Sequence, residues 1–385
     1  MRILHTSDWH LGQNFFGLSR QFEHQQLIDW LVEVVQNKQI DAVLIAGDLY
    51  DTGAPASYAR QLLSQLIAKL HACNCQLWLM AGNHDSVAVL QESQSVLQCL
   101  NTHVVTTTEH SHPQLLKNQR GEACATLVPV PFIRPRDVLN AALSGSQQAL
   151  GQRISEHYHE RFQQAQQHGL PVIGTGHLTL IGASTSDSER DIYIGTLEAL
   201  PSSALPEFDY LAMGHIHRPQ QIAGKAHWRY SGSPIALSFS EASQQKSMVL
   251  LDTEQLDQPE LIELPTWQPM AYLENLTLDT LAREVDRALT QNSLWLSLSF
   301  NETRSDLTKK VHQMLADYPV QVLKVQRQQL SPTLAWQQRQ ASIDELTPMQ
   351  VFEQRLQGIE LSDEQQHALT ERYQQVVTQV QEGEQ

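Results

Sequence analysis

Short apolar runs recur along this chain, and five of them end in a polar motif built from Asp, His, Asn and Gly. The motifs are Asp8-Trp9-His10, Gly47-Asp48-Leu49-Tyr50-Asp51, Gly82-Asn83-His84-Asp85, Gly176-His177 and Gly214-His215-Ile216-His217. The preceding runs, among them Ala42–Ala46, Gln76–Met80, Val172–Thr175 and Tyr210–Met213, are too short for helices. Ala42–Ala46 is apolar throughout, as in a strand covered on both faces. Segments with helical spacing alternate with them: Ser19–Asn37 with Phe22, Leu27, Leu31, Val34 and Val35, then Tyr58–Ala72, Val87–Leu100 and Gln147–His168. Further strands are expected at Ala125–Val130 and Met248–Asp252. The alternation predicts a layered α/β fold around a buried, mainly parallel or mixed sheet. The polar motifs then lie at the carboxyl ends of strands, where such folds place ligand sites.

A chain of 385 residues exceeds one typical hydrophobic core, so more than one domain is expected. Pro265 and Pro269, around Trp267, mark a boundary. Beyond it a smaller α/β unit spans Met270–Gln328, with strands at Leu294–Phe300 and Val320–Val325 and helices at Asp279–Thr290 and Asp306–Ala316. Ser331–Ile343 reads as a linker. Two terminal helices follow: one opens at Thr347-Pro348 with the stripe Met349, Phe352, Leu356 and Ile359, the other at Ser362 with a capping box to Gln365. The expected partition is 1–266, 267–330, 331–344 and 345–385. No run approaches the roughly 18 apolar residues of a membrane span. The N-terminus leads directly into Asp8 and His10, so no signal peptide is expected and the cytoplasm is the expected location. The four cysteines form no CxxC pair and read as reduced thiols rather than a zinc site.

Alone, any of the five motifs is weak; together and in order, each after a strand, they specify chemistry. Imidazole, carboxylate and amide oxygen are donors for manganese, iron or zinc rather than calcium. A two-metal hydrolase sets two divalent ions about 3.5–4 Å apart, and a bridging carboxylate offsets their repulsion. The i, i+2 spacings of Asp8/His10 and His215/His217 can direct two side chains to one side of an extended segment. A net charge of −16 argues against a free-standing DNA binder, so a nucleic-acid role needs positive charge from bound metal or a partner.

These motifs resemble the calcineurin-like metallophosphoesterase superfamily. The resemblance implies a layered sheet sandwich flanked by helices, with Asp8, His10, Asp48 and His217 as ligands of one metal. It implies Asp48, Asn83, His177 and His215 as ligands of the other, with Asp48 bridging. Two divalent ions and two carboxylates leave a net +2, which attracts a phosphodiester. In the family pattern His84 faces the substrate and stabilises the transition state or protonates the leaving oxygen, with Asp51 as its partner. Asp85 reads as a cap of the following helix.

Within the superfamily the run from Met1 to Gly12 and the stretches Ala46–Asp51, Met80–Asp85, Arg190–Gly195, Met213–Arg218 and Tyr230–Pro234 resemble the bacterial SbcD nuclease family. So does the layout of phosphoesterase domain, small capping domain and C-terminal helical hairpin. That resemblance implies a manganese-dependent 3′ to 5′ exonuclease on duplex DNA and an endonuclease on single strands and hairpins. It also implies a homodimer bound to the SMC-like ATPase SbcC, two nuclease and two ATPase chains in all. The alternative is a small-molecule phosphatase or nucleotide phosphodiesterase, which would share all the ligands without needing a cap or terminal hairpin. Arg134 and Arg136 are read either as phosphate contacts or as solvated. The Gly182–Arg190 segment is read as a loop beside the site or as ordinary surface, and His157 and His159 as solvated.

Overall fold

The computed structural model describes residues 1–92, 94–138, 147–189, 199–289, 293–301, 304 and 306–327. The expected linker at 331–344 and helical hairpin at 345–385 lie outside them, as does the Arg190–Gly195 stretch.

Two six-stranded sheets face each other. In the first, Arg2–Thr6, Ala42–Ala46, Gln76–Met80 and Thr102–Val105 run parallel, and Ser247–Asp252 and Glu260–Glu263 extend the edge antiparallel. In the second, Ala123–Val128, Val172–His177, Tyr210–Gly214 and Lys225–Tyr230 run parallel, with antiparallel edges at Gln114–Lys117 and Gln220–Ile222.

The period-2 geometry of strands explains why these runs are apolar without interruption. Ile3, Ala42, Leu44, Trp78 and Met80 turn inward and meet Ala125, Leu127, Ile173, Tyr210 and Ala212 of the opposing sheet. Their neighbours Leu4, Val43, Ile45, Leu77 and Leu79 turn outward and pack on the helices Gln21–Lys38 and Ser57–Ala72. On the far side, Val128, Val172, Leu211 and Met213 pack against Ile154 and Tyr158 of the helix Gln147–Gln166. The layers are therefore helix, sheet, sheet, helix. The expected helix over Val87–Leu100 is replaced by two short ones, Val87–Gln91 and Gln94–Gln98.

Met270–Leu276, Leu294–Phe300 and Val320–Arg327 form a separate three-stranded parallel sheet. The helices Leu278–Ala288 and Leu307–Met314 contribute Leu281, Val285, Leu307 and Val311 to its own core. Sandwich and small sheet belong to one compact unit, Met1–Arg327. They meet where Phe15, on the short hairpin Asn14–Ser19, packs with Met270 and Trp295. Among the described residues no helix is long and apolar enough to cross a membrane.

Candidate metal centre

The facing sheets bring their carboxyl ends to one place. Asp8 and His10 follow Arg2–Thr6, Asp48 follows Ala42–Ala46, and Asn83 and His84 follow Gln76–Met80. From the second sheet come His177, closing Val172–His177, and His215 and His217, just after Tyr210–Gly214. Asp8, His10 and His217 gather into one potential ligand triad; Asp48, His177 and His215 form another. Asp48 also lies in a third group with His10 and His84. Its Oδ2 is 3.2 Å from Nε2 of His177, 3.6 Å from Nε2 of His10 and 3.9 Å from Nε2 of His84. Asp8, His10, Asp48, His177, His215 and His217 are all buried. Asn83, His84 and Asp51 are half-buried as residues, though the His84 side chain is only 5% exposed.

The chain is bent hard to achieve this. Asp8, His10 and Asp48 take φ of +55°, +46° and +50°, and His215 takes +90°, a region that costs a non-glycine residue on the order of 1–3 kcal/mol. Cross-bonds between loops hold the bends. The amide of Asp8 donates to the Gly47 carbonyl and that of His10 to the Asp48 carbonyl. The amide of His215 donates to Oδ1 of Asp8, and that of His84 to Oδ1 of Asp48, each at 2.9 Å. Gly82 and Gly47 are required by close approach: a Cβ on Gly82 would strike the Asp48 carboxylate, and one on Gly47 the His177 ring.

Asp85 corrects an expectation. The helix after it is capped by Ser86, whose hydroxyl accepts from the Val89 amide. The buried Asp85 carboxylate instead accepts from the amides of Leu49, Tyr50 and Gly82 at 2.9–3.1 Å. It fastens the Asp48 loop to the Asn83 loop. Burial first, then the Asp48 charge, raises its pKa to about 6 against these three bonds.

The electrostatics favour cations. Nδ1 of His177 donates to the Ala46 carbonyl at 2.9 Å, which leaves Nε2 facing Oδ1 of Asn83 at 2.9 Å and Oδ2 of Asp48. Three lone-pair sites thus converge, and a proton or a metal cation must stand between them. Burial works against charge on His177, but the Asp48 carboxylate outweighs it and raises the pKa to about 9. Asp48 shows the reciprocal effect: burial opposes its charge, yet His177, His10 and His84 hold it well below the usual carboxylate range. His10 is raised likewise, with burial overcome by the bond to Asp51 and the charges of Asp48 and Asp8. His215 is driven well down by burial and the neighbouring His177, so it is a neutral donor. Nε2 of His10 is buried and has no hydrogen-bond partner among the described residues. An orphaned imidazole nitrogen between two carboxylates is what a metal ligand looks like without its ion, and the set fits divalent cations.

The remaining candidates fall as follows. Oδ1 of Asp51 meets Nδ1 of His10 at 3.1 Å, while Nδ1 of His84 donates to the Asp51 main-chain carbonyl at 2.8 Å. Arg134 is engaged within the protein, donating to the Asp85 carbonyl at 3.2 Å and lying over the Phe132 ring; the Arg136 side chain is outside the described residues. His157 is half-buried rather than freely solvated: Ser111 Oγ lies 2.9 Å from its Nε2, and burial lowers its pKa to about 4. His159 is exposed as expected.

Of the described part of the expected loop, 182–189, two residues reach His217. Oγ of Ser188 lies 2.6 Å from Nδ1 of His217, and Glu189 accepts from the His217 amide at 2.7 Å. Behind them the fully buried Glu241 bonds Ser188 and pairs with buried Lys246 at 2.6 Å, and Lys246 also donates to the His217 carbonyl. Ser231, in the Tyr230–Pro234 stretch, bonds Ser7 at 2.7 Å, and Ser7 donates to Asp8. Glu241 and Lys246 carry no motif signal, since nothing in their spacing points to a site roughly 25–30 residues earlier in the chain.

Fold and site define the class. The family model for calcineurin-like phosphoesterases matches residues 1–219, and a model described as the type 5 capsule protein repressor C-terminal domain matches residues 266–359. The SbcD component of the SbcCD nuclease of Escherichia coli (strain K12) is 44% identical over 385 residues, covering 96% of each chain. The corresponding SbcCD component from Rhodobacter capsulatus is 34% identical over 71% of each chain, and that from Bacillus subtilis 30% identical over 83% of this chain and 84% of its own. The chain belongs to the SbcD family of calcineurin-like phosphoesterases.

Proposed function

We propose that this chain is a two-metal DNA phosphodiesterase, the nuclease component of an assembly with an SMC-like ATPase of the SbcC kind. The carrying observation is Asp48, a buried carboxylate shared by ligand groups on either side of it. Asp8, His10, Asp48 and His217 would hold one ion, and Asp48, Asn83, His177 and His215 the other. Divalent ions bound there supply Lewis acidity toward the phosphate and acidify water at neutral pH. The donor set admits manganese, iron or zinc, and manganese is the ion proposed for the site.

The protein's own groups supply orientation and proton transfer. Asp51 fixes the His10 tautomer through Nδ1. The carbonyl that receives Nδ1–H of His84 can only accept, so His84 exchanges protons through Nε2, which lies 3.9 Å from Oδ2 of Asp48. From there it serves as the acid toward the leaving oxygen. The same site would serve 3′ to 5′ trimming of duplex ends and cutting of single strands and hairpins, in a homodimer of this chain bound to two ATPase chains. The names of the relatives, each one component of an SbcCD nuclease, support the partnership. Residues 267–330 are proposed as the capping domain and 345–385 as the docking hairpin.

The test is digestion of end-labelled duplex DNA with manganese, beside hydrolysis of a chromogenic phosphomonoester. DNA cleavage is expected; rapid monoester hydrolysis without DNA cleavage overturns the reading. For the partner, truncation before Ala341 is expected to leave the metal centre intact and abolish co-elution with the ATPase. Stoichiometric co-elution of the truncated chain removes the hairpin as the docking element.

A further inference from the structure

Between the sandwich and the small sheet runs a groove of about 570 Å³, within the roughly 300–1,000 Å³ of small-molecule subsites. Ser188, whose hydroxyl bonds Nδ1 of His217, lines it, so the groove is one contact away from a candidate metal ligand. Phe15, Phe16, Phe239 and Tyr272 also line it. Phe16 is half exposed, and it projects from the tip of the Asn14–Ser19 hairpin with φ +51°. Phe16 and Gly17 form a two-residue turn that requires φ > 0 at both positions, a place ordinarily filled by Asn or Asp and here given to an exposed aromatic.

The platform behind it is rigid. The Phe16 ring meets Phe15 edge-on at 5.0 Å and Phe239 at 5.7 Å. Phe15 stacks on Trp295 at 5.6 Å with 11° between planes, and the Arg20 guanidinium lies 5.1 Å from one ring and 5.5 Å from the other. Arg20 is buried and paired with Glu23. Tyr272, also partly exposed, is fixed by a bond from Gln326 at 3.2 Å.

The aromatic lining points to the occupant. Lys324 and Asp187 both line the groove, so it offers no run of positive charge to a phosphate backbone. It offers aromatic faces flanked by side-chain amides and hydroxyls. That combination suits nucleobases, which stack by their faces and hydrogen-bond by their edges. Bases inside a duplex have no free faces, and a terminal pair frees one face but no Watson–Crick edge, so unpaired nucleotides match the groove best.

We propose that this groove binds unpaired nucleobases of the strand being cut, stacked on Phe16 and Tyr272, and so holds a frayed or single-stranded end at the metal centre. The inference rests on the nuclease reading above and names the form of DNA the site takes.

The experiment uses the full chain and a phosphorothioate oligonucleotide, which resists cleavage, carrying 2-aminopurine near one end. Binding to the unsubstituted protein is expected to quench the fluorescence. Phe16→Ala and Tyr272→Ala are each expected to abolish quenching and weaken binding about tenfold, with an unchanged melting temperature; Phe16→Tyr is expected to retain both. Phe22→Ala, exposed but outside the groove, serves as the control and is expected to quench normally. If the unsubstituted protein cuts DNA without quenching, or Phe16→Ala quenches like it, the groove is not a base site and the nuclease reading stands. If the protein neither binds nor cuts DNA yet hydrolyses a small chromogenic diester, both readings fall.

Discussion

The loops of the first sheet and the loop bearing His217 reach the same centre by different means. Asp8, His10 and Asp48 are fastened by main-chain bonds between neighbouring loops, by close glycine contacts, and by Asp85 gripping three amides. His217 is fastened by side chains from far along the chain: Ser188, Glu189, and the buried Glu241–Lys246 pair. The first arrangement is a property of short motifs at strand ends. The second depends on a buried ion pair, which is costly to desolvate and badly destabilised when one partner is lost. The shared carboxylate is therefore fixed by local backbone, whereas His217 depends on the integrity of a distant network.

The largest expected effect is at the point where the two halves join. Asp48→Ala should lose both metal ions by elemental analysis and reduce DNA cleavage to background, whereas His217→Ala should mainly weaken one. Two ions retained in the Asp48→Ala protein would remove its bridging role. His84→Gln belongs to neither fastening system. It should keep both ions and DNA binding while lowering turnover by roughly 10²–10⁴-fold; loss of metal would place His84 among the ligands instead.

Glu241→Gln leaves Lys246 buried without its counter-ion. It should lower stability by about 3 kcal/mol and lower metal content at one site only, which denaturant melts and metal titration would separate. Equal loss from both sites would erase the contrast between the two fastenings. Gly82→Ala probes the other side. Its Cβ would press on the Asp48 carboxylate, so a loss of about 1–3 kcal/mol is expected, with both ions weakened together.

The smallest effect lies away from both regions, at His157. Its folded pKa of about 4 lies below the ordinary value of 6.5, so as pH falls the unfolded chain takes up the extra proton first. Its contribution is therefore present above pH 6.5 and is lost as pH falls toward 4. His157→Gln should flatten that part of the stability–pH curve by on the order of 1 kcal/mol, given its partial exposure. An unchanged slope between pH 6.5 and 4 would show that another group carries it.

Much of the sandwich is legible because strands buried on both faces leave uninterrupted apolar runs: Ala42–Ala46 and Gln76–Met80 fall where the runs place them. Edge strands such as Gln114–Lys117 and Gln220–Ile222 are not, since one face is exposed or the run is too short to show a period. The first strand of the small sheet, Met270–Leu276, is hidden for the same reason, with exposed and half-buried residues alternating along it.

The sequence by itself determined which side chains gather at the strand ends, because the strands that present them end in short, recognisable motifs. It also determined the family, through matches along nearly the whole chain. Only the tertiary structure decided that Asp85 staples two loops and that the Asp51 carboxylate serves His10. It alone placed Glu241 and Lys246 behind His217 and built a single aromatic platform from Phe16, Phe239 and Trp295. The reason is physical. A ligand type is fixed by covalent chemistry at one position, whereas a hydrogen bond or ring contact between distant residues exists only once folding has brought both ends together.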